Sequence, residues 1–410
     1  MKSKKDKELR DFGEIFDLTM ERAARRGASL SAIEQVKLEE CRGRVLAEDI
    51  HADRDVPPYN RVAVDGYACR RADLPGPLVL AGSSSAGDSR RHIVEQGCCV
   101  KVMTGGVLPE GADTVVMVEN SREYTEGAQR LVAFEGVDPQ SSPANYSPRG
   151  EDVPEGTQVL SAGTILQSNH IALLASVGKP CPQAAALPKV GLLSTGNEVV
   201  EPGTPPEAHQ IRNANASQAA VQLEELKIEP TYYGIIPDDP KALTEALVKA
   251  KEENDLVLMS GGISMGDYDH GPEAMAASGF TPLYDRIAVK PGRPTTFAVS
   301  ETADLFGLPG NPVSCFVIFE ILVKPYLCRL MNTIYRPKRA FAVAAVPIQR
   351  KKTAREEWIP VSINEAGEAQ PVVYHGSAHF QSLSRADGMI KIKKGERIIE
   401  RGAVLAVRLF

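Results

Sequence analysis

The sequence predicts a multidomain α/β protein. It should hold an open, mostly parallel α/β sheet domain, a helical unit, an inserted β-rich domain and a small C-terminal β-barrel. Three observations carry that expectation. At 410 residues the chain exceeds one ordinary domain. Its periodicity passes from helical to strand-like, then to strand–helix alternation, then to strands alone. Gly and Pro punctuation falls where the periodicity changes.

Taken in order, residues 12–46 read as helices. "FGEIFDLTMERAARR" and "LSAIEQVKLEECRGRVL" carry apolar residues at three- and four-residue spacing. From "DVPPYNRVAVDGYAC" onward the pattern turns to short strands such as "HIVEQGCCVKVMTGG" and "ADTVVMVEN". "NYSPRGEDVPEGTQVLSAG" is turn-rich, and "ILQSNHIALLASVG" is helical again. Residues 1–50 with 148–182 therefore form one elongated helical and linker unit, interrupted by a β-rich domain at 51–147. Residues 183–332 alternate strand and helix, the pattern of a parallel sheet whose ligands bind beyond the strands' carboxyl ends. "KVGLLST", "TYYGII", "DLVLMSG", "YDRIAV" and "DLFGLPG" are its strands, and a helix is expected throughout "PVSCFVIFEILVKPYLCRL". Residues 333–410 hold short strands with Gly and Asn turns, as in a small barrel.

Composition excludes several classes of function. Hydrophobic content of 43% with 24% charged residues is that of a soluble globular protein, and a net charge of −6 gives no general attraction to nucleic acid or membrane. The charged start "MKSKKDKELRD" is no secretory signal, and "CFVIFEILV" is too short to span a bilayer. Seven cysteines show no C-x-x-C spacing, and the adjacent Cys98 and Cys99 read as buried thiols in a strand, so a reduced, cytoplasmic setting is expected. Neither a P-loop nor a dinucleotide fingerprint is present, and no H-E-x-x-H or G-x-S-x-G motif occurs.

The chemistry concentrates in loops that follow strands. Thr195-Gly196-Asn197-Glu198, Asp238-Asp239, Ser260-Gly261-Gly262 with Ser264, Gly266 and Asp269, and Pro309-Gly310-Asn311-Pro312 all sit at strand ends. Each alone has a plain explanation in turns and helix caps. Together they place backbone N–H groups and hydroxyls beside carboxylates, a combination in which Glu198 and Asp269 repel a bare phosphate. Mg²⁺ removes that conflict, since it takes one or two carboxylates along with phosphate oxygens. Lys290 and Arg293 in "KPGRP" add positive charge. Outside this domain, Asp65, Thr104 and Asp152 lie beside glycines on loops.

The motifs "PPYNRVAVDGYA", "VMTGGVLPEGADTVV", "RGEDV", "STGNEV", "SGGISMGDYD", "KPGRP", "FGLPGNP" and "GSAHFQSLSRADGMI" occur in an order that resembles the MoeA-type molybdopterin molybdenumtransferases, the family of the gephyrin E-domain. The resemblance spans nearly the whole chain and implies a four-part, elongated, dimeric architecture. It implies that adenylylated molybdopterin (molybdopterin-AMP) and molybdate are taken up and the phosphoanhydride is cleaved with Mg²⁺. AMP is then released and molybdenum placed on the dithiolene. By that resemblance Glu198 and Asp269 are metal or catalytic carboxylates with Asp238 nearby. Asp65, Thr104 and Asp152 come from the partner subunit to close a shared cleft. Lys290 and Arg293 face phosphate or molybdate, Pro309 and Pro312 shape the wall, and Ser377 reaches in from the last domain. Other molybdenum-cofactor enzymes are possible partners.

The sequence departs from the family pattern at Val62-Ala63-Val64, where Ser-Ala-Met is common, at Asn197, where aspartate is common, and at Arg293 in place of a lysine. Two alternatives stay open: a tungstate-inserting homologue, and a pterin-binding scaffold without chemistry.

Overall fold

Asp11 starts the first helix. Its carboxylate accepts the backbone N–H of Gly13 at 2.9 Å, and α1 (Phe12–Ser29) follows. This is a computed structural model that describes residues 9–30, 32–263, 270–373 and 379–410. Phe12, Ile15, Thr19, Ala23 and Arg26 recur at three- and four-residue spacing and form the buried stripe of α1.

Residues 32–46, expected to be helical, form no α-helix. Ile33–Gln35 forms a strand antiparallel to Gln183–Ala185, and Leu38–Glu40 is a single 3₁₀ turn. Pairing with a distant segment overrides a local helical pattern there, and Cys41, Val45 and Leu46 are buried without a helix.

The chain divides into two compact units. The smaller comprises Glu48–Ala162 and Ser168–Pro182. Its sheet contains β1 (Gly66–Cys69), β2 (Leu78–Ser84), β3 (Cys98–Val102), β4 (Thr114–Met117), β5 (Ser121–Glu126) and β6 (Gln129–Phe134), in the order β4-β1-β3-β2-β6-β5. Alternation along β1 and β3 gives each face a core. Ala68, Val100 and Val102 pack on one side, and Tyr67, Cys69 and Cys99 on the other. Burial pushes the Cys69 and Cys99 thiols up to about 12, so they behave as small apolar residues. The helix α2 (Ser168–Ser176) also belongs to this unit.

The larger unit holds α1 and everything from Gln183 onward. Its elements are β7 (Val190–Thr195), α3 (Ala214–Glu224), β8 (Thr231–Ile236), α4 (Pro240–Glu253), β9 (Leu256–Ser260) and α5 (Gly271–Ala277). They continue with β10 (Thr281–Tyr284), β11 (Val289–Lys290), β12 (Thr296–Val299), β13 (Asp304–Leu308), α6 (Pro312–Ile318) and α7 (Lys324–Leu330). The sheet order is β8-β7-β9-β13-β12-β10, parallel from β8 to β13 and antiparallel at the β12 and β10 edge. Leu192, Leu258 and Phe306 face α1, α3, α6 and α7, while Leu193, Val257 and Leu305 face α4 and α5. Burial on both faces explains why these strands read as unbroken apolar runs. The long C-terminal helix of this region is interrupted, because Phe319–Val323 forms a π-helical turn between α6 and α7.

The last region contributes β14 (Arg339–Ala344), β15 (Glu356–Ile363), β16 (Glu368–Pro371), β17 (Gly388–Ile392) and β18 (Val404–Leu409). They pair in the order β15-β16-β14-β18-β17, and β17 pairs back onto β15, so five strands close a barrel. Ala342, Val361, Ile390 and Val407 are among its core residues. The short strand β11 adds to the barrel's β15 in parallel, with Lys290 opposite Glu357. The expected strand at 284–289 is thus split between two sheets.

Candidate functional site

β7, β9 and β13 run parallel, with Ser194, Ser260 and Leu308 in register at their carboxyl ends. Beyond those ends lies a cavity of about 1000 Å³. Thr195, Gly196, Glu198, Asp238, Ser260, Gly261, Gly262, Lys290, Arg293, Pro309, Gly310, Asn311 and Pro312 all line it. The structure therefore gathers most of the loops that the sequence marks as chemical. These lining residues all belong to the larger unit.

The floor is built on close backbone approach. Gly261 and Gly262 have φ of +89° and +63°, a conformation that favours glycine. A Cβ at either would come within 2.9 or 2.7 Å of the Thr195 hydroxyl. That hydroxyl is buried and has no hydrogen-bond partner among the described residues. The Oδ1 of Asn215 is buried and unpaired as well, while its amide donates to Ser260 Oγ at 2.7 Å and to the Gly310 carbonyl at 2.8 Å. Unsatisfied buried polar atoms cost about 1–3 kcal/mol each, and two of them belong to residues that line this one cavity.

The carboxylates are arranged differently from one another. Asp239 caps α4, accepting the Ala242 N–H at 2.8 Å, which leaves Asp238 for the crevice. Asp238 and Asn197 form a reciprocal clasp: each side chain accepts the other's backbone N–H, at 3.0 and 3.1 Å. Glu198 folds back over Gly196, where a Cβ would lie 2.7 Å from its carboxylate. The Glu198 carboxylate is exposed, with no ion pair among the described residues.

The opposite wall is cationic. Lys290 Nζ donates to Glu357 Oε1 at 2.5 Å. Arg293 and Arg355 both line the cavity, and Arg355 donates to the Val289 carbonyl at 3.2 Å. Burial lowers the Arg355 pKa and the neighbouring Arg293 lowers it further, against the opposing pull of Glu357. Two guanidinium groups that repel each other thus lie beside one cavity, a charge arrangement that a bound anion would relieve.

Arg355 is the residue that sequence reading missed, along with Asn213 and Asn215 in "RNANAS". Arg355 precedes a barrel strand, and only the parallel β11–β15 pairing carries it to the crevice. Asn213 gave the stronger signal, as the helix-capping residue of α3, accepting the Ala216 N–H at 3.2 Å.

The other expected residues fall elsewhere. Asp65 and Thr104 meet in the smaller unit, where Asp65 Oδ1 accepts the Thr104 N–H at 2.7 Å and its hydroxyl at 2.8 Å. Those two bonds hold the Asp65 carboxyl below the usual carboxylate range. Asp152, in the same unit, is exposed and its N–H pairs with the Val56 carbonyl. Ser264, Gly266, Asp269 and Ser377 lie outside the described residues. Among the described residues no cluster of three or more His, Cys, Asp or Glu forms a metal cage. No helix is long and apolar enough to cross a membrane among those residues.

Comparison with known proteins then adds family information. Residues 17–178 match the MoeA N-terminal region (domains I and II), 191–329 a probable molybdopterin binding domain, and 342–410 the MoeA C-terminal region (domain IV). The molybdopterin molybdenumtransferase of Haemophilus influenzae is 33% identical over 92% of this chain and 94% of its own length. That of Bacillus subtilis is 32% identical over 92% and 89%. The crystal structure of the molybdopterin biosynthesis MoeA protein from Pyrococcus horikoshii superposes with a TM-score of 0.79 at 30% identity, covering 95% of this chain and 99% of that one.

Proposed function

The chain belongs to the MoeA-type molybdopterin molybdenumtransferase family of molybdenum cofactor biosynthesis, and from that premise we propose that its crevice converts adenylylated molybdopterin and molybdate into molybdenum-loaded cofactor and AMP. One observation carries the reading. An unpaired buried hydroxyl and a double-glycine turn face one carboxylate without a partner and a wall of cations, all within one cavity. That arrangement suits a ligand with both anionic and neutral polar parts. It also suits a second, separate oxyanion.

Cleaving a phosphoanhydride calls for charge stabilisation and a positioned attacking oxygen rather than a protein nucleophile. Thr195 and the backbone of Gly261 and Gly262 bind and orient the organic part of the substrate or its phosphates. Lys290, Arg293 and Arg355 hold phosphate or molybdate oxygens, and the resemblance assigns Ser377 to the same substrate. Pro309 and Pro312 fix the wall through the start of α6.

Glu198 fits Mg²⁺, which takes one or two carboxylates and completes its shell with substrate oxygens and water, and Asp269 is the second carboxylate in this reading. Bound there, Mg²⁺ would supply positive charge that offsets the carboxylates and the substrate's phosphates. Asp238, fixed by Asn197, contributes negative charge beside it. Asp65, Thr104 and Asp152 serve the same reaction from the partner subunit of a cytoplasmic homodimer. The chain divides into four regions in this reading, with boundaries near 50, 147, 182 and 332.

The test is incubation with adenylylated molybdopterin, molybdate and Mg²⁺. AMP release and reconstitution of a molybdenum enzyme are expected; tight pterin binding without AMP would reject the reading. Metal analysis of the product under equal molybdate and tungstate identifies the oxyanion. Light scattering that finds a monomer would remove the shared-cleft part of the proposal.

A further inference from the structure

Glu357 has no part in the reaction above, yet it touches the cationic wall from behind. It faces Lys290 across the parallel β11–β15 pair. Its Oε1 accepts from Lys290 Nζ at 2.5 Å, and its Oε2 lies 3.7 Å from Arg350 Nη1. The Glu357 side chain is 8% exposed and that of Lys290 48% exposed. Arg350 is buried in turn, and its guanidinium donates to the backbone carbonyls of Glu396, Lys393 and Arg355. One carboxylate thus holds Lys290 directly and is linked through Arg350 to the backbone of Arg355.

A lysine ammonium has three donors. One is spent on Glu357, so an oxyanion in the crevice must share Lys290 with a resident carboxylate. That sharing lowers ground-state affinity, and tight ground-state binding adds nothing to turnover. We propose that Glu357 is a positioning residue that restrains Lys290 and holds down the crevice's affinity for oxyanions, so that they are bound loosely enough to react and leave. The proposal rests on the reading of the crevice as an oxyanion site. It differs from a purely structural ion pair, whose loss would weaken binding or leave it unchanged.

The full chain is titrated calorimetrically with inorganic phosphate and, separately, with molybdate. Glu357→Gln should tighten both by about five- to tenfold, and Glu357→Asp, which keeps the charge, should stay within about twofold of wild type. In a Lys290→Met background Arg350 still pairs the carboxylate, so the Glu357→Gln gain should shrink below about twofold. In turnover, Glu357→Gln should lower KM and kcat together. Unchanged or weakened binding by a folded Glu357→Gln variant overturns the proposal, as does an undiminished gain without Lys290.

Should the Gln variant not fold, the side-chain ¹⁵N signal of Lys290 in the wild-type chain decides. It must move on saturation with phosphate, and a signal that stays put overturns the proposal. Affinity that tightens in a chain releasing no AMP rejects the reaction and leaves Glu357's role standing. AMP release with affinity that does not move rejects the role alone. A wild-type chain that binds neither anion overturns both.

Discussion

The two ends of the six-stranded sheet use the same residue types in opposite ways. At the amino ends of β9 and β13 lies a second cavity, of about 850 Å³, lined by Arg22, Arg25, Arg26 and Lys251. Its composition resembles that of an anion site, but its cations are largely committed. Arg22 donates to both Asp304 oxygens at 2.7–3.0 Å and to the Ser300 carbonyl at 2.9 Å. The hydrogen bond to Asp304 is what raises the Arg22 pKa. Arg26 is spent on the carbonyls of Glu301 and Thr302, with only its Nε left unpaired, and Lys251 on that of Ser278. These groups fasten α1 to the start of β13 and the loop before it, and α4 to the end of α5. At the carboxyl ends, Arg293 and Arg355 repel each other, and the Thr195 hydroxyl and Asn215 Oδ1 lack partners among the described residues. The difference lies in how far the polar groups around each cluster are committed. Arg22 and Arg26 at the amino ends are tied to a buried carboxylate and carbonyls, while the crevice keeps a hydroxyl and an amide oxygen open.

The comparison breaks most readily at Asp304. That side chain is fully buried and also accepts the Tyr326 hydroxyl at 2.5 Å, so Asp304→Ala strands Arg22 and Tyr326 together. A loss of about 3 kcal/mol in urea-unfolding stability is expected, with unchanged phosphate affinity in the folded fraction. A matching loss of affinity would show that the two ends are not separate. Glu198→Ala should do the reverse, with AMP release falling about 100-fold or more and the unfolding midpoint held. Unaltered turnover would remove Glu198 from the chemistry.

Smaller effects sharpen the contrast. Arg355→Met removes a charged hydrogen-bond donor, and calorimetry should report oxyanion binding weaker by about 10- to 100-fold. Thr195→Val is the most diagnostic of the four. Deleting an unpaired buried hydroxyl should leave stability unchanged or raise it by up to about 1 kcal/mol, while substrate affinity falls. A stability loss above that would mean the hydroxyl already has a structural partner.

The sequence made much of this arrangement legible. Apolar runs ending in Thr195, Ser260 and Leu308 identify parallel strands, and strand-end loops of such a sheet converge by topology alone. What was not legible depends on pairing between distant segments. Residues 33–35 join 183–185 in place of helix, and Arg355 and Glu357 reach the crevice because β15 pairs with β11. Local periodicity carries no information about such partners. By local pattern alone Asp238 and Asp239 both read as cap residues, and hydrogen-bond geometry gives the cap to Asp239 and the clasp to Asp238.

Strand β15 belongs to two structures at once, as a stave of the closed barrel and as the parallel neighbour of β11. The backbone of the crevice's cationic wall is therefore part of the barrel's own hydrogen-bond ladder. If the crevice binds an anion as proposed, an anion held by Lys290 and Arg355 would brace the barrel strand that carries Arg355. Amide exchange in β17 and β18, remote in sequence from the crevice, becomes a gauge of whether the site is filled.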